Sequence, residues 1–180
     1  MPVRKALAYS KRPITSYTRK SRRVKSKNYI KAVPPQKIVK FNMGAIAKYN
    51  KGDFKYEMKI ITNQDIQIRD LALEAVRQAL HNRLQKKLLG NFYLGCKCFP
   101  HQILRDNKTF SGGTKGERVQ TGMRHSFGST AGRAAFVKKG KAIFIIAFSN
   151  KKDINFIRSI CKLSVPKLPC STKIIVEEKK

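Results

Sequence analysis

A nuclease that works through divalent ions needs several carboxylates converging on one point, and Asp65, Asp70 and Glu74 are the one local trio of acids in this chain. Asp70 and Glu74, four apart, share the polar face of a helix, where carboxylates serve solubility and pairing with Arg77. Asp65 falls at the start of that helix, where its charge suits the dipole. His81, His101 and His125 lie far apart in the chain, none beside an acid at a spacing familiar from acid–base catalysis. Cys96-x-Cys98 on a strand would put both sulfurs on one face, and Cys161-x8-Cys170 is the other cysteine spacing, yet no C-x2-C or H-x3-H run completes a zinc set. The cysteines read as small core hydrophobes of a reducing compartment. No metal or other cofactor is expected, and no Cys–His nucleophile pair is indicated.

The stretch "FSGGTKGERVQTGMRHSFGSTAGRAAFVKKG" (110–140) poses a different chemistry. It carries seven glycines, six Lys or Arg and a single acid, Glu117, and no apolar periodicity until its last residues. It lacks G-x4-G-K-[ST], so it is not a nucleotide loop. Glycines there permit close approach of backbone N–H groups to phosphate oxygens. Lys115, Arg118, Arg124, Arg133, Lys138 and Lys139 add charge along the same track, and arginine suits planar, bidentate phosphate contact.

The whole chain agrees. Its 180 residues hold 40 Lys plus Arg against 10 Asp plus Glu, a formal charge of +30, which a dense polyanion would neutralise. A hydrophobic fraction of 41% argues for a folded domain rather than a disordered basic tail. Nucleic acid is the leading partner. An anionic membrane is the weaker one: no apolar run approaches the ~20 residues of a spanning helix, "AIFIIAF" is strand-sized, and the basic N-terminus has no apolar h-region of a secretory signal.

The elements that must position these residues are legible in outline. Before Asp53, the first acid, lie fifteen Lys or Arg with Tyr9, Tyr17 and Tyr29 among them. Residues 1–35 are read as a basic arm that a polyanion orders, its tyrosines suited to stacking on bases or ribose. Residues 36–180 form one α+β domain. In it "QKIVKFNM" (36–43) and "FKYEMKII" (54–61) alternate as strands. "DIQIRDLALEAVRQALHNRLQKKLL" (65–89) is the clearest helix, with Ile68, Leu71, Ala72, Ala75, Val76 and Ala79 inward and Asp70, Glu74, Arg77, Gln78, His81 and Gln85 opposite. Asn63 or Asp65 would cap it, and Gly90 would stop it. "NFYLGCKCFPHQILRD" reads as a strand broken or bulged by Pro100, and "AAFVKKGKAIFIIAF" as two strands about a "KKGK" turn. "KDINFIRSICKL" is a second helix with Ile154, Ile157, Ile160 and Cys161 inward, and "STKIIVEE" a last strand. No repeat is present. Two helices on a mixed, largely antiparallel sheet result.

Several of these stretches also carry a resemblance. "FPHQILRDNK", "NKTFSGGTKGERVQTGMRHSFG", "LALEAVRQALHNRLQKKL" and the arm's "AYSKRPITSYTRK" and "YIKAVPPQKIVKFNMG" resemble, in order and over nearly the whole chain, the family of the universal large-subunit ribosomal protein sixteen, in its archaeal and eukaryotic L-ten-e branch. "SRRVKSKN" (21–28) looks like a basic insertion. Thr130, Arg133 and Phe136 stand where the family has proline, threonine and arginine. Arg133 lies three positions from the lost arginine, a shift that reverses strand face. The long aromatic and basic tail of eukaryotic members does not follow "KIIVEEKK", which favours the archaeal type.

The resemblance implies an α/β-hammerhead fold, a place on large-subunit rRNA between the tRNA sites, and no catalysis by the protein. Expected rRNA contacts are Arg4, Lys5, Lys11, Arg12, Tyr17, Arg19, Lys20, Arg22, Arg23, Arg105, Asn107, Lys108, Arg124, Arg133, Lys138, Lys139 and Lys141. A mobile glycine-rich loop at about 109–122 would turn Gly112, Gly113, Lys115, Gly116, Arg118 and Gln120 towards tRNA in the A and P sites. Partners would be rRNA, tRNA and neighbouring ribosomal proteins, with the protein a monomer within the cytoplasmic ribosome and no membrane involved. An RNA-processing enzyme and a free nucleic-acid chaperone are the alternatives.

Overall fold

The structure, a computed structural model, describes residues 5–11, 30, 32–106 and 128–179. The chain runs β1 (Asn42–Gly44), α1 (Ile46–Lys51), β2 (Tyr56–Thr62), β3 (Ile66–Arg69), α2 (Asp70–Leu88), β4 (Tyr93–Cys96), β5 (Gln102–Asp106), β6 (Ser129–Val137), β7 (Ala142–Phe148), α3 (Ile154–Ser164) and β8 (Thr172–Glu178). Two sheets result, one ordered β1-β4-β7-β2-β8 and one ordered β3-β6-β5. Every strand pairing in them is antiparallel. The α+β class is thus the expected one. The single mixed sheet is not: among the described residues the strands divide between two sheets, and there are three α-helices rather than two.

The division explains where the reading of strands and helices went astray. "DIQIRD" alternates with period two, and its Ile66 and Ile68 are buried on β3, paired with Val137 and Ala135 of β6. The helix therefore begins at Asp70, not Asp65. Neither Asn63 nor Asp65 caps it; its N-cap is Arg69, with no side-chain capping bond. Leu89, left-handed at φ 44°, ends it one residue before Gly90. Its buried stripe is Ala72, Leu73, Val76, Leu80 and Leu84, while Leu71, Ala75 and Ala79 are half-buried. The stripe is rotated from the expected one because Asp70 and Glu74, read as solvent-facing, are themselves buried.

"QKIVKFNM" is likewise a strand only at its end. β1 pairs Asn42–Gly44 with β4, and residues 36–40 run free of any ladder. "NFYLGCKCFPHQILRD" is interrupted around Pro100 as expected, into β4 and β5, which lie in different sheets. β6 and β7 flank the "KKGK" turn but do not pair with each other; the turn is a crossing between the sheets.

The main core lies between the five-stranded sheet and the two long helices. Met58, Ile60, Leu94, Phe144, Ile146 and Phe148 meet Leu73, Leu80 and Leu84 of α2 and Ile157, Ile160 and Cys161 of α3. Ile154 is only partly buried against it. On the other side of that sheet Phe54, Tyr93 and Ala147 are covered by Tyr49 of the short α1 and by Ala45 just before it. Gly44 makes this corner possible: at φ +84°, a Cβ there would sit 2.1 Å from the Phe92 carbonyl oxygen, so no other residue fits.

Candidate nucleic-acid interface

β5 and β6 form the stem from which the glycine-rich segment springs. Their register runs from Gln102↔Ala134 to Asp106↔Ser129, with an irregularity at Leu104/Arg105. The chain thus leaves the sheet after Asp106 and returns to it at Ser129 on the neighbouring strand. Residues 107–127 are carried between two hydrogen-bonded strand ends. Arg105 sits near the end of this stem, half-buried.

The opposite end of the stem leads into the turn of exposed Lys138, Lys139 and Lys141. This turn is fixed by its main chain: the Lys141 N–H donates to the Lys138 carbonyl at 3.1 Å, and the Lys139 N–H to Asp65 Oδ1 at 2.6 Å. Asp65 is thereby a turn anchor and not a helix-dipole charge. The lysine side chains carry no part of that scaffold.

The N-terminal segment meets the same small sheet, and the bonds fall on its main chain. Gln67 on β3 donates its N–H to the Ser10 carbonyl at 2.9 Å and its Nε2 to the Tyr9 carbonyl at 2.6 Å. Arg69, buried, donates to the Lys5 carbonyl at 2.8 Å. Arg133 on β6 donates Nε to the Pro34 carbonyl at 2.6 Å. Asp70 Oδ2 accepts the Lys37 N–H at 3.1 Å, and Glu74 Oε2 accepts the Val39 N–H at 3.4 Å. Because each of these bonds engages a backbone atom, the side chains of Lys5, Lys11, Lys37 and Lys40 stay exposed. The buried Ile30 packs on Ile103 of β5 beside Val33.

Electrostatics match this use of the acids. Burial pushes the Asp70 carboxyl above its usual range, against the pull of the Lys37 and Leu71 N–H groups. Burial acts the same way on Glu74, but hydrogen bonds from Arg77 and Gln78 outweigh it and leave that carboxyl below its usual range. Arg77 grips Glu74 through Nε at 2.7 Å and Nη2 at 2.5 Å, the pairing expected from the sequence. The two carboxylates position a segment of chain rather than an ion.

Of the contact residues expected from the sequence, Arg105 and Arg133 lie on the three-stranded sheet, Lys5 and Lys11 on the segment bound to it, and Lys138, Lys139 and Lys141 in the turn between the two sheets. Arg133 is engaged with Pro34. Arg4, Arg12, Tyr17, Arg19, Lys20, Arg22, Arg23, Asn107, Lys108 and Arg124 lie outside the described residues, as do Gly112, Gly113, Lys115, Gly116, Arg118 and Gln120. Missed altogether were Gln67, Arg69, Asp70 and Glu74 as holders of the N-terminal segment. Their partners are main-chain atoms, which leave no mark in side-chain spacing.

Nothing in the described residues assembles a reaction centre. They contain no grouping of three or more His, Cys, Asp or Glu side chains able to hold a metal. All four cysteines are unpaired and buried. Burial raises the Cys96 thiol to about 11 and the Cys98 and Cys161 thiols to about 12, so they stay protonated and unreactive at neutral pH. They serve the core, as expected. Among the described residues no helix is long and apolar enough to cross a membrane.

Comparison with known proteins gives this arrangement its context. Residues 15–175 match the family model described as ribosomal protein L16p/L10e. The chain is 36% identical to the large ribosomal subunit protein uL16 of Pyrobaculum islandicum over 180 residues, covering 99% of this chain and 94% of that one. It is 36% identical to the protein of the same name from Sulfolobus acidocaldarius, with 97% and 93% covered, and to that of Methanoculleus marisnigri, with 84% and 86% covered. The chain therefore belongs to the ribosomal protein L16p/L10e family, structural constituents of the large ribosomal subunit and not enzymes.

Proposed function

We propose that this protein binds large-subunit rRNA between the tRNA sites through its three-stranded sheet and N-terminal arm, and presents the glycine-rich segment to tRNA near the peptidyl transferase centre. The observation that carries the reading is the β5–β6 stem. Asp106 and Ser129 are paired, so residues 107–127 form one excursion from a fixed base, and within it Lys115, Arg118 and Arg124 outnumber the single acid Glu117. Arm residues 1–35 are ordered by rRNA on this reading, and bonds to the main chain of Lys5, Tyr9, Ser10 and Pro34 leave the exposed Lys5 and Lys11 for phosphate.

The test is a variant in which residues 109–122 are replaced by two glycines. The stem closes without them, and loop-closure entropy varies slowly with length, so folding and rRNA attachment persist. The expected result is subunits that assemble but accommodate tRNA and transfer peptide more slowly. Subunits that translate at the unmodified rate would make the segment a passive excursion. A variant that does not fold would put the segment in the core and overturn the division between stem and loop.

A further inference from the structure

Between β4 and β5 the chain crosses from one sheet to the other through residues 97–101, and there it alternates. Cys96, Cys98 and Pro100 are buried; Lys97, Phe99 and His101 are exposed. An extended backbone sends alternate side chains to opposite sides, so these three project together. Phe99 is the one aromatic among the exposed large apolar side chains of the described residues, at 53% exposure.

Its ring is nevertheless held. One side stacks on Phe41, with centroids 5.6 Å apart and planes 26° from parallel. Phe41 packs against the main core and its carbonyl accepts the Cys96 N–H at 2.8 Å. The backbone is pinned on either side: the Lys97 N–H donates to the Ile143 carbonyl at 2.9 Å, Cys98 Sγ approaches the Ala142 carbonyl at 3.8 Å, and the His101 N–H meets the Phe99 carbonyl at 3.1 Å. The same contacts set this crossing alongside the other one, the turn of Lys138, Lys139 and Lys141. Lys97 leans over the Tyr49 ring at 5.9 Å, leaving it at the surface.

A rigid aromatic ring backed by Phe41 and half exposed, with Lys97 projecting on the same side of the chain, is what a base requires for stacking with its phosphates neutralised. We infer that Phe99 is a stacking platform for one unpaired base of large-subunit rRNA, with Lys97 and Lys141 taking the phosphates beside it. The inference rests on the rRNA-binding reading and names a nucleotide site within it. An apolar protein anchor would call instead for a broader patch, because the buried centre of a protein interface is depleted of charge, whereas the exposed Lys97 lies two residues from Phe99 on the same side of the chain.

The experiment measures binding of the full-length protein to large-subunit rRNA over a range of salt, together with base-reactive chemical footprinting. Phe99→Leu keeps apolar volume but removes the π face; Phe99→Trp enlarges it. Phe99→Leu should weaken binding about five- to one-hundred-fold, the worth of one stacked base, at every salt concentration, with an unchanged salt slope and one newly reactive base. Phe99→Trp should retain affinity and protection. Lys141→Ala should lower the salt slope by about one. Tight, salt-dependent binding by the parent with no change in Phe99→Leu refutes the platform and leaves the rRNA reading intact. Equal loss in Phe99→Trp and Phe99→Leu makes the ring an apolar anchor and also refutes it. A parent that does not bind rRNA sinks both readings.

Discussion

The two sheets of this molecule are stabilised by different means. The five-stranded sheet has its own partners: α2 and α3 cover one face with a continuous apolar cluster, and ion pairs tie β2 to the edge strand β8 and the residue after it, Lys179 with Glu57 at 2.9 Å and Lys59 with Glu177. The three-stranded sheet shares that cluster through Ile66 and Ile68 of β3 and Ala135 and Val137 of β6, but around Ile103 of β5 it has only a separate cluster with Ile30 and the half-buried Val33. It is completed by polar side chains that hold a length of basic backbone. Even Gln102, fully buried on β5, has neither amide atom bonded among the described residues. A region that builds its own core is indifferent to a partner. A region finished by polar bonds to a cationic segment depends on what that segment meets, and Lys5, Lys11, Arg105 and Arg133 of the expected RNA contacts lie there.

The contrast is open to a direct energetic test. Leu80→Ala, at a fully buried position of α2, should cost about 3–5 kcal/mol in urea unfolding, as deletions in packed cores do. Ile103→Ala, in the small cluster, should cost about 2 kcal/mol, near the low end for such a truncation, and should loosen the chain around Ile30 first. Equal losses and one shared transition for both variants would mean that the sheets unfold as a unit with equal weight, and the distinction would fail.

The junction between the regions should show itself in pH. Glu74 links α2 to Val39 and Arg77. Its folded carboxyl titrates below the usual value of 4.5, so its stabilising contribution is present above that value and lost as pH falls through the folded one. Glu74→Gln should therefore cost about 2 kcal/mol near neutrality, in the range of a hydrogen bond to a charged group, and progressively less below pH ~4.5. Asp70, raised by burial, has the opposite sign: its titration favours the fold below the unfolded value and that favour is lost as pH rises through the raised one. Denaturant titrations from pH 3 to pH 7 (roughly the carboxylate range and above it) decide the matter; a Glu74→Gln penalty independent of pH would mean that the pair with Arg77 contributes nothing.

How much of this the sequence disclosed follows the same boundary. β2, β7, β8 and α3 were legible because their apolar spacing is set by one core on one side. β3 was not, because "DIQIRD" runs into α2 without a break and Ile68 fits the helical spacing of Leu71 and Ala72 as well as it fits a strand. Residues 36–40 alternate like a strand yet bond to side chains of α2. The positions of Lys138, Lys139 and Lys141 could be read from composition, but not the scaffold beneath them. Arg133 reaches a carbonyl 99 residues away, a pairing no local pattern encodes. Main-chain capture is silent in sequence because any residue supplies the captured atom.

That silence leads to the smallest expected effect and the most discriminating one. Arg133→Ala removes one bond, to the Pro34 carbonyl, from a side chain that is only half-buried. The stability lost should be about 1 kcal/mol, the usual net worth of such a bond. The consequence should instead be local. Lys37 and Val39 are three and five residues beyond Pro34, and their N–H groups are held by Asp70 and Glu74. With the chain no longer tethered at Pro34, these amides should exchange with solvent faster, while amides in the middle of α2, such as Val76 and Leu80, keep their protection. Amide exchange followed by NMR separates the two sets. If α2 loosens in step with Lys37 and Val39, the segment is part of the core's cooperative unit and the two sheets are not held in different ways. If neither set changes, Arg133 is free to leave Pro34, and its guanidinium belongs with the cations available to RNA.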